Sequence, residues 1–115
     1  MKTINRLMAV NLGLAALQPI SAGFFLSGFN HALTAHIVVA VALQIGAAIQ
    51  CVTAIVLWLR HRVSPRVSAF CVGLLATVML EMWAGRHMKF WLHVPLGVAI
   101  LAGLRGRMGR RADER

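Results

Sequence analysis

Four stretches of the chain are apolar almost without interruption, separated by short polar segments. They cover roughly Leu7 to Leu26, Ala35 to Leu59, Val67 to Trp83 and Phe90 to Leu104. None alternates with a period of two, which argues against the strands of a membrane barrel. A bilayer core of about 30 Å needs about 20 helical residues. The first two runs meet that length and the third is close to it. The fourth meets it only if its helix starts near Met88 and continues past Arg105, whose long side chain can snorkel to the headgroups. The pattern therefore predicts helices at about 7–28, 34–59, 66–84 and 88–106, then a basic tail at 107–115.

The connections "SGFNHALT", "RHRVSPR" and "AGRHMK" are short. Short loops make sequential helices antiparallel neighbours, so the expected fold is all-α, a four-helix up-down bundle in one domain over 1–106. Ser64 followed by Pro65 fits the start of the third helix. Composition agrees with a membrane location. Of 115 residues, 59% are hydrophobic and only 13% charged, where a soluble domain carries about a quarter.

Charge adds an orientation. Lys2 and Arg6 precede the first run, Arg60, Arg62 and Arg66 lie between the second and third, and Arg105, Arg107, Arg110, Arg111 and Arg115 follow the fourth. Only Arg86 and Lys89 fall on the opposite side. The positive-inside rule then places both termini in the cytoplasm, as for a multi-pass protein of a bacterial plasma membrane. The net charge of +9 is a topology signal, with anionic headgroups as the partner of the tail. Nucleic-acid binding by "RGRMGRRADER" is set aside, because such tails routinely follow a last membrane helix. The start "MKTINRLMAV" and the small residues of "PISAG" also fit a signal peptide. Asn11 interrupts its apolar core, however, and "GFFLSGF" continues past the cleavage point, so a retained helix is expected. Cys51 and Cys71 have no CxxC spacing and read as small buried hydrophobes.

Candidate chemistry rests on two histidines. "LTAHIVVAVAL" sets His36 near the start of the second run, and "KFWLHVPLGVAI" sets His93 near the start of the fourth. In an up-down bundle these helices run parallel on a diagonal, so both imidazoles are expected near the outer face, pointing at each other. Depth counted from the cytoplasmic arginines disagrees, and the outer count is preferred because basic side chains snorkel. At 100° per residue Ala40, Leu43, Ala47, Gln50 and Ala54 share the face of His36, while Gly97, Ile100 and Leu104 share that of His93. Ala40 and Gly97 follow the histidines by four residues. They leave room for a flat group beside each ring, or equally for close helix packing.

A haem b fits this pattern: His36 and His93 as axial iron ligands, an apolar bundle around the macrocycle, and Arg86 and Lys89 at a cationic exit for the propionates. The bland reading makes each histidine a helix–helix hydrogen bonder or an interfacial residue. His31 and His87 lie in the outer loops, where a zinc or copper site is a further alternative, without HxH or HxxxH spacing to support it. Glu81 is the one acid within a run. It serves as a proton site, as a hydrogen-bond partner of a haem ligand or propionate, or as an ion pair with Arg86. Gln18, just before Pro19, marks an inward-facing kink of the first helix, and Trp58, Trp83 and Trp91 sit at the interfaces.

Taken together, "LQPISAGFFLSGFN", "HALTAHIVVAVAL" and "LHVPLGVAILAG" resemble small four-helix integral membrane proteins of actinobacteria, over nearly the whole chain. The layout also resembles one half of a haem A synthase, a family with two four-helix bundles whose second and fourth helices carry haem-ligating histidines. That resemblance implies His36 and His93 as the ligands. The family's catalytic glutamate motif has no counterpart here, so an electron-transfer or haem-handling protein is expected rather than a haem-modifying enzyme. Its implied partner is a respiratory or other redox protein in the membrane, or a second copy in a homo-oligomer. Two rivals stand beside it. One is a proton-coupled transporter centred on Glu81, although the small multidrug-resistance exporters that it resembles carry their glutamate on the first helix. The other is a cofactor-free accessory subunit held by small-residue contacts such as Ala42-x-x-x-Gly46.

Overall fold

A computed structural model describes residues 1–112. Among them are four α-helices and no strand: α1 (Lys2–Leu26), α2 (Ala32–Leu59), α3 (Pro65–Arg86) and α4 (Phe90–Ala112). The helices form a closed ring in which α1 packs on α2 and α4, and α3 packs on α2 and α4. The diagonal pairs make no close backbone approach. The bundle measures 48 × 27 × 21 Å.

Hydropathy places the helices well and their ends less well. The first helix starts at Lys2, five residues before the apolar run, because backbone hydrogen bonding continues through "KTINR" and Ile4 is fully buried. The fourth runs to Ala112, so residues 107–112, expected as a tail, prolong the helix. Positions 113–115 of that tail lie outside the described residues. α1, α2 and α3 are long and apolar enough to cross a membrane. α4 is not among them, since arginines at 105, 107 and 110 occupy its second half and leave an apolar segment of about 22 Å at 1.5 Å per residue.

Three helix ends share one device. Behind α1, Gly28 takes a positive φ, Phe29 N–H donates to Phe24 O at 3.2 Å and Gly28 N–H to Phe25 O at 3.0 Å. His61 behind α2 and Met88 behind α3 do the same at φ 55°, with Arg62 donating to Leu57 O and Lys89 to Ala84 O, both at 2.8 Å. These are Schellman motifs, which satisfy the last carbonyls of each helix. The apolar contact that accompanies the motif is present in the first: the Phe24 and Phe29 rings meet edge to face at 5.3 Å. Pro65 at the first position of α3, behind Ser64, supplies the remaining boundary.

The core is narrow. Ile4, Met8 and Ala15 meet Leu43, Ala47, Cys51 and Ala54 of α2, with Cys71, Leu74 and Val78 of α3 and Ile100 and Leu104 of α4 closing it. Neither cysteine is in a disulfide. Polar groups cross this core in pairs: Asn11 donates to Gln50 Oε1 at 2.7 Å, and Ser68 to Ala54 O at 2.9 Å. Most large apolar side chains instead point outward, among them Val10, Ile20, Ile37, Val52 and Val98. An exterior of this kind is far more apolar than a soluble monomer presents.

Gly46 lets α1 approach α2. A Cβ there would overlap Asn11 Oδ1, so Gly46 serves a contact inside the bundle. Gly46→Ala is expected to lower stability by about 1 kcal/mol, because the Asn11 amide must move off its Gln50 bond. Unfolding titrations of the two proteins check this, with Gly13→Ala as a control, since a Cβ at Gly13 meets nothing within 4 Å.

Candidate functional site

All four helices contribute polar side chains to one end of the bundle. His36 lies in the second turn of α2 and His93 in the first turn of α4, so the two parallel helices begin at the same end. Their rings come together with centroids 6.1 Å apart and planes at 73°. Both side chains are partly buried.

Each imidazole is held by its Nδ1. For His36 that nitrogen lies 3.0 Å from Ser21 Oγ and 3.2 Å from Gln18 O. A backbone carbonyl only accepts, and the Ser21 hydroxyl itself donates to Gln18 O at 3.0 Å. His36 Nδ1 therefore carries the proton and donates to both oxygens. Gln18 completes the clamp through its amide, which donates to His36 O at 3.4 Å. The pattern repeats for His93, whose Nδ1 lies 3.0 Å from Glu81 O and 3.0 Å from Glu81 Oε1. Here too the acceptors assign the hydrogen to Nδ1. Both rings thus engage their acceptors through Nδ1–H, and Nε2 is the nitrogen left for a ligand.

One small residue, Gly85, seats His93. A Cβ at Gly85 would stand 2.8 Å from His93 Cε1 and 2.9 Å from Nδ1, so only glycine accepts the ring at that distance. Glu81 and Gly85 are four residues apart and share the face of α3 that meets α4. The space beside Gly97 faces Glu81 Oε1, 3.9 Å from where a Cβ would stand. The room expected next to His93 on α4 is thus bordered by that carboxylate. Ala40 is half-buried on the His36 side.

The remaining candidates divide clearly. Glu81 is buried and pairs with His93, not with Arg86 as in one of the alternatives above. Arg86, the last residue of α3, and Lys89, in the turn before α4, are exposed. Lys89 acts through its backbone, its carbonyl accepting from Leu92 and His93 N–H at 2.9 Å. His31 precedes α2 and is exposed, while His87 hydrogen-bonds Trp83 O at 2.8 Å. Among the described residues no three His, Cys, Asp or Glu side chains converge as a metal site.

Ser21 and Gly85 are the site residues that the sequence reading missed. Their signals were faint but present: Ser21 stands one turn after Gln18, and Gly85 one turn after Glu81. No family model, curated protein or solved structure matches the chain.

Proposed function

We propose that this chain is an integral membrane protein that binds one b-type haem through His36 and His93, for electron transfer or haem handling. The carrying observation is the pair of imidazoles, 6.1 Å apart, with both Nδ1 atoms tied to protein acceptors. Rings this close could both offer a nitrogen to one metal, which would bind imidazole at about 2.0–2.1 Å. Metal-ligating histidines almost always donate their other N–H to a carbonyl or carboxylate, and here Gln18, Ser21 and Glu81 supply those acceptors. The donor set therefore fits. Haem held by His36 and His93 would supply a one-electron iron couple, which suits electron transfer.

The chain's own residues hold the rings in rotation and tautomer and keep the surroundings apolar. Arg86 and Lys89, exposed beside His93, suit the propionates. The membrane reading draws on three spanning-length helices and the apolar exterior. The arginine distribution supports cytoplasmic termini in a bacterial plasma membrane, with α4 anchored by snorkelling arginines. The partner in this reading is a redox protein of the same membrane.

The test is the haem content of protein purified from haem-replete membranes. Wild type should carry one haem per chain, and His36→Ala and His93→Ala should each lose it while remaining helical. A second reading follows from the buried Glu81–His93 pair, a carboxylate engaged with an imidazole inside an apolar bundle. It makes the chain a proton-coupled transporter, and predicts transport that Glu81→Gln abolishes and His36→Ala spares. Haem-free wild type without transport would leave the accessory-subunit reading.

A further inference from the structure

Between α3 and α4, away from the histidines, runs an apolar groove of 260 Å³. Small side chains on both walls keep it open: Gly73 and Thr77 on α3, Ala99 and Gly103 on α4. A Cβ at Gly73 meets nothing within 4 Å. Phe70 closes one end, with Gly103 against its ring edge.

That end is cationic on both walls. One turn beyond Gly103, the Arg107 guanidinium lies 5.4 Å from the centre of the Phe70 ring. Its Nε is buried without a hydrogen-bond partner. On α3, Arg66 stands one turn before Phe70, on the same helix face, and is exposed. Each wall therefore passes from small apolar residues to an arginine at the same end. Among the described residues the single carboxylate side chain is Glu81, which is committed to His93. No carboxylate of the described residues is left for these two guanidinium groups.

We propose that the α3–α4 groove binds an anionic phospholipid, one acyl chain lying along Gly73, Thr77, Ala99 and Gly103 and the phosphate held by Arg107 and Arg66. The proposal rests on the membrane reading above. Arginine forks match phosphate geometry, and the bilayer supplies the acyl chain at the right place. A groove of this volume is smaller than the usual drug-sized ligand pocket. A second copy packed here in the same membrane orientation would bring its own Arg66 and Arg107 against these, an unfavourable like-charge contact.

The experiment is native mass spectrometry of the full chain in mild detergent, titrated with phosphatidylglycerol or phosphatidylcholine. One phosphatidylglycerol should bind per chain in preference to phosphatidylcholine. Arg66→Gln with Arg107→Gln should weaken that binding about tenfold, the loss expected for a charge-assisted phosphate contact. Gly73→Leu should abolish it by filling the groove, with helicity unchanged. Equal binding of both lipids, or undiminished phosphatidylglycerol binding in both variants, overturns the site. So does a lipid-free dimer that Gly73→Leu breaks. Membrane fractionation of the same preparations separates the two readings: a chain found in the aqueous fraction defeats the membrane assignment and the lipid site together. A membrane-bound chain indifferent to headgroup charge defeats the lipid site alone.

Discussion

Gly85→Val should displace the His93 ring and destabilise the bundle by about 1–3 kcal/mol, the range for overpacking a well-filled site. The reason is local. Even the first carbon of a side chain at position 85 would approach His93 Cε1 and Nδ1 to 2.8 and 2.9 Å, inside any real contact distance. The ring cannot retreat without giving up the bonds from Nδ1 to Glu81 O and Oε1, both 3.0 Å. The valine should therefore act twice, on stability and on whatever the histidine pair holds. Gly13→Ala is the control, because a Cβ there meets nothing within 4 Å. Unfolding titrations together with haem content check this. A Gly85→Val protein as stable and as haem-loaded as wild type would show that His93 does not sit against α3.

The second large effect is expected at the buried amide pair. Asn11 and Gln50 are both fully buried, and the 2.7 Å bond from Asn11 Nδ2 to Gln50 Oε1 joins α1 to α2. Gln50 also donates to Cys71 Sγ at 3.3 Å, which extends the link to α3. Gln50→Leu leaves the Asn11 amide without its acceptor in an apolar core. The expected cost is about 1–2 kcal/mol, since polar contacts between helices in apolar surroundings measure in that range. Replacing both residues by leucine should recover most of the loss, because no stranded donor remains. A double variant less stable than Gln50→Leu alone would contradict this and assign the pair a packing role instead.

The meeting of His36 and His93 was legible because it needs only two facts, parallel diagonal helices and equal distance from the same end. The inward faces followed from 100° per residue: Leu43, Ala47, Gln50 and Ala54 below His36, and Ile100 and Leu104 below His93, are all buried. Helix ends were harder, because hydropathy says nothing of backbone bonds. Gly28 advertises its left-handed turn, but His61 and Met88 adopt the same conformation with no residue-type signal. The extension of α4 through its arginines was hidden for the same reason: arginine is a good helix former that merely interrupts an apolar run.

Within the site, what remained illegible was partner choice. Arg86 lies five residues from Glu81 and offered the nearest charge along the chain, yet the carboxylate turns inward to an imidazole on another helix. Arg86 at the end of α3 is exposed, whereas Gly85 and Gly97 bring α4 within reach of Glu81. Reading Gly97 only as space beside His93 left out what borders that space, the Glu81 carboxylate that pairs with His93.

The most direct test of a bis-histidine haem site is the reduced-minus-oxidised visible spectrum of the purified full chain, wild type beside His36→Ala and His93→Ala. A haem held by both imidazoles gives a sharp α-band in the wild type that each substitution removes or shifts. A wild type that stays colourless after expression with ample haem contradicts the assignment. So does an α-band that survives both substitutions unchanged.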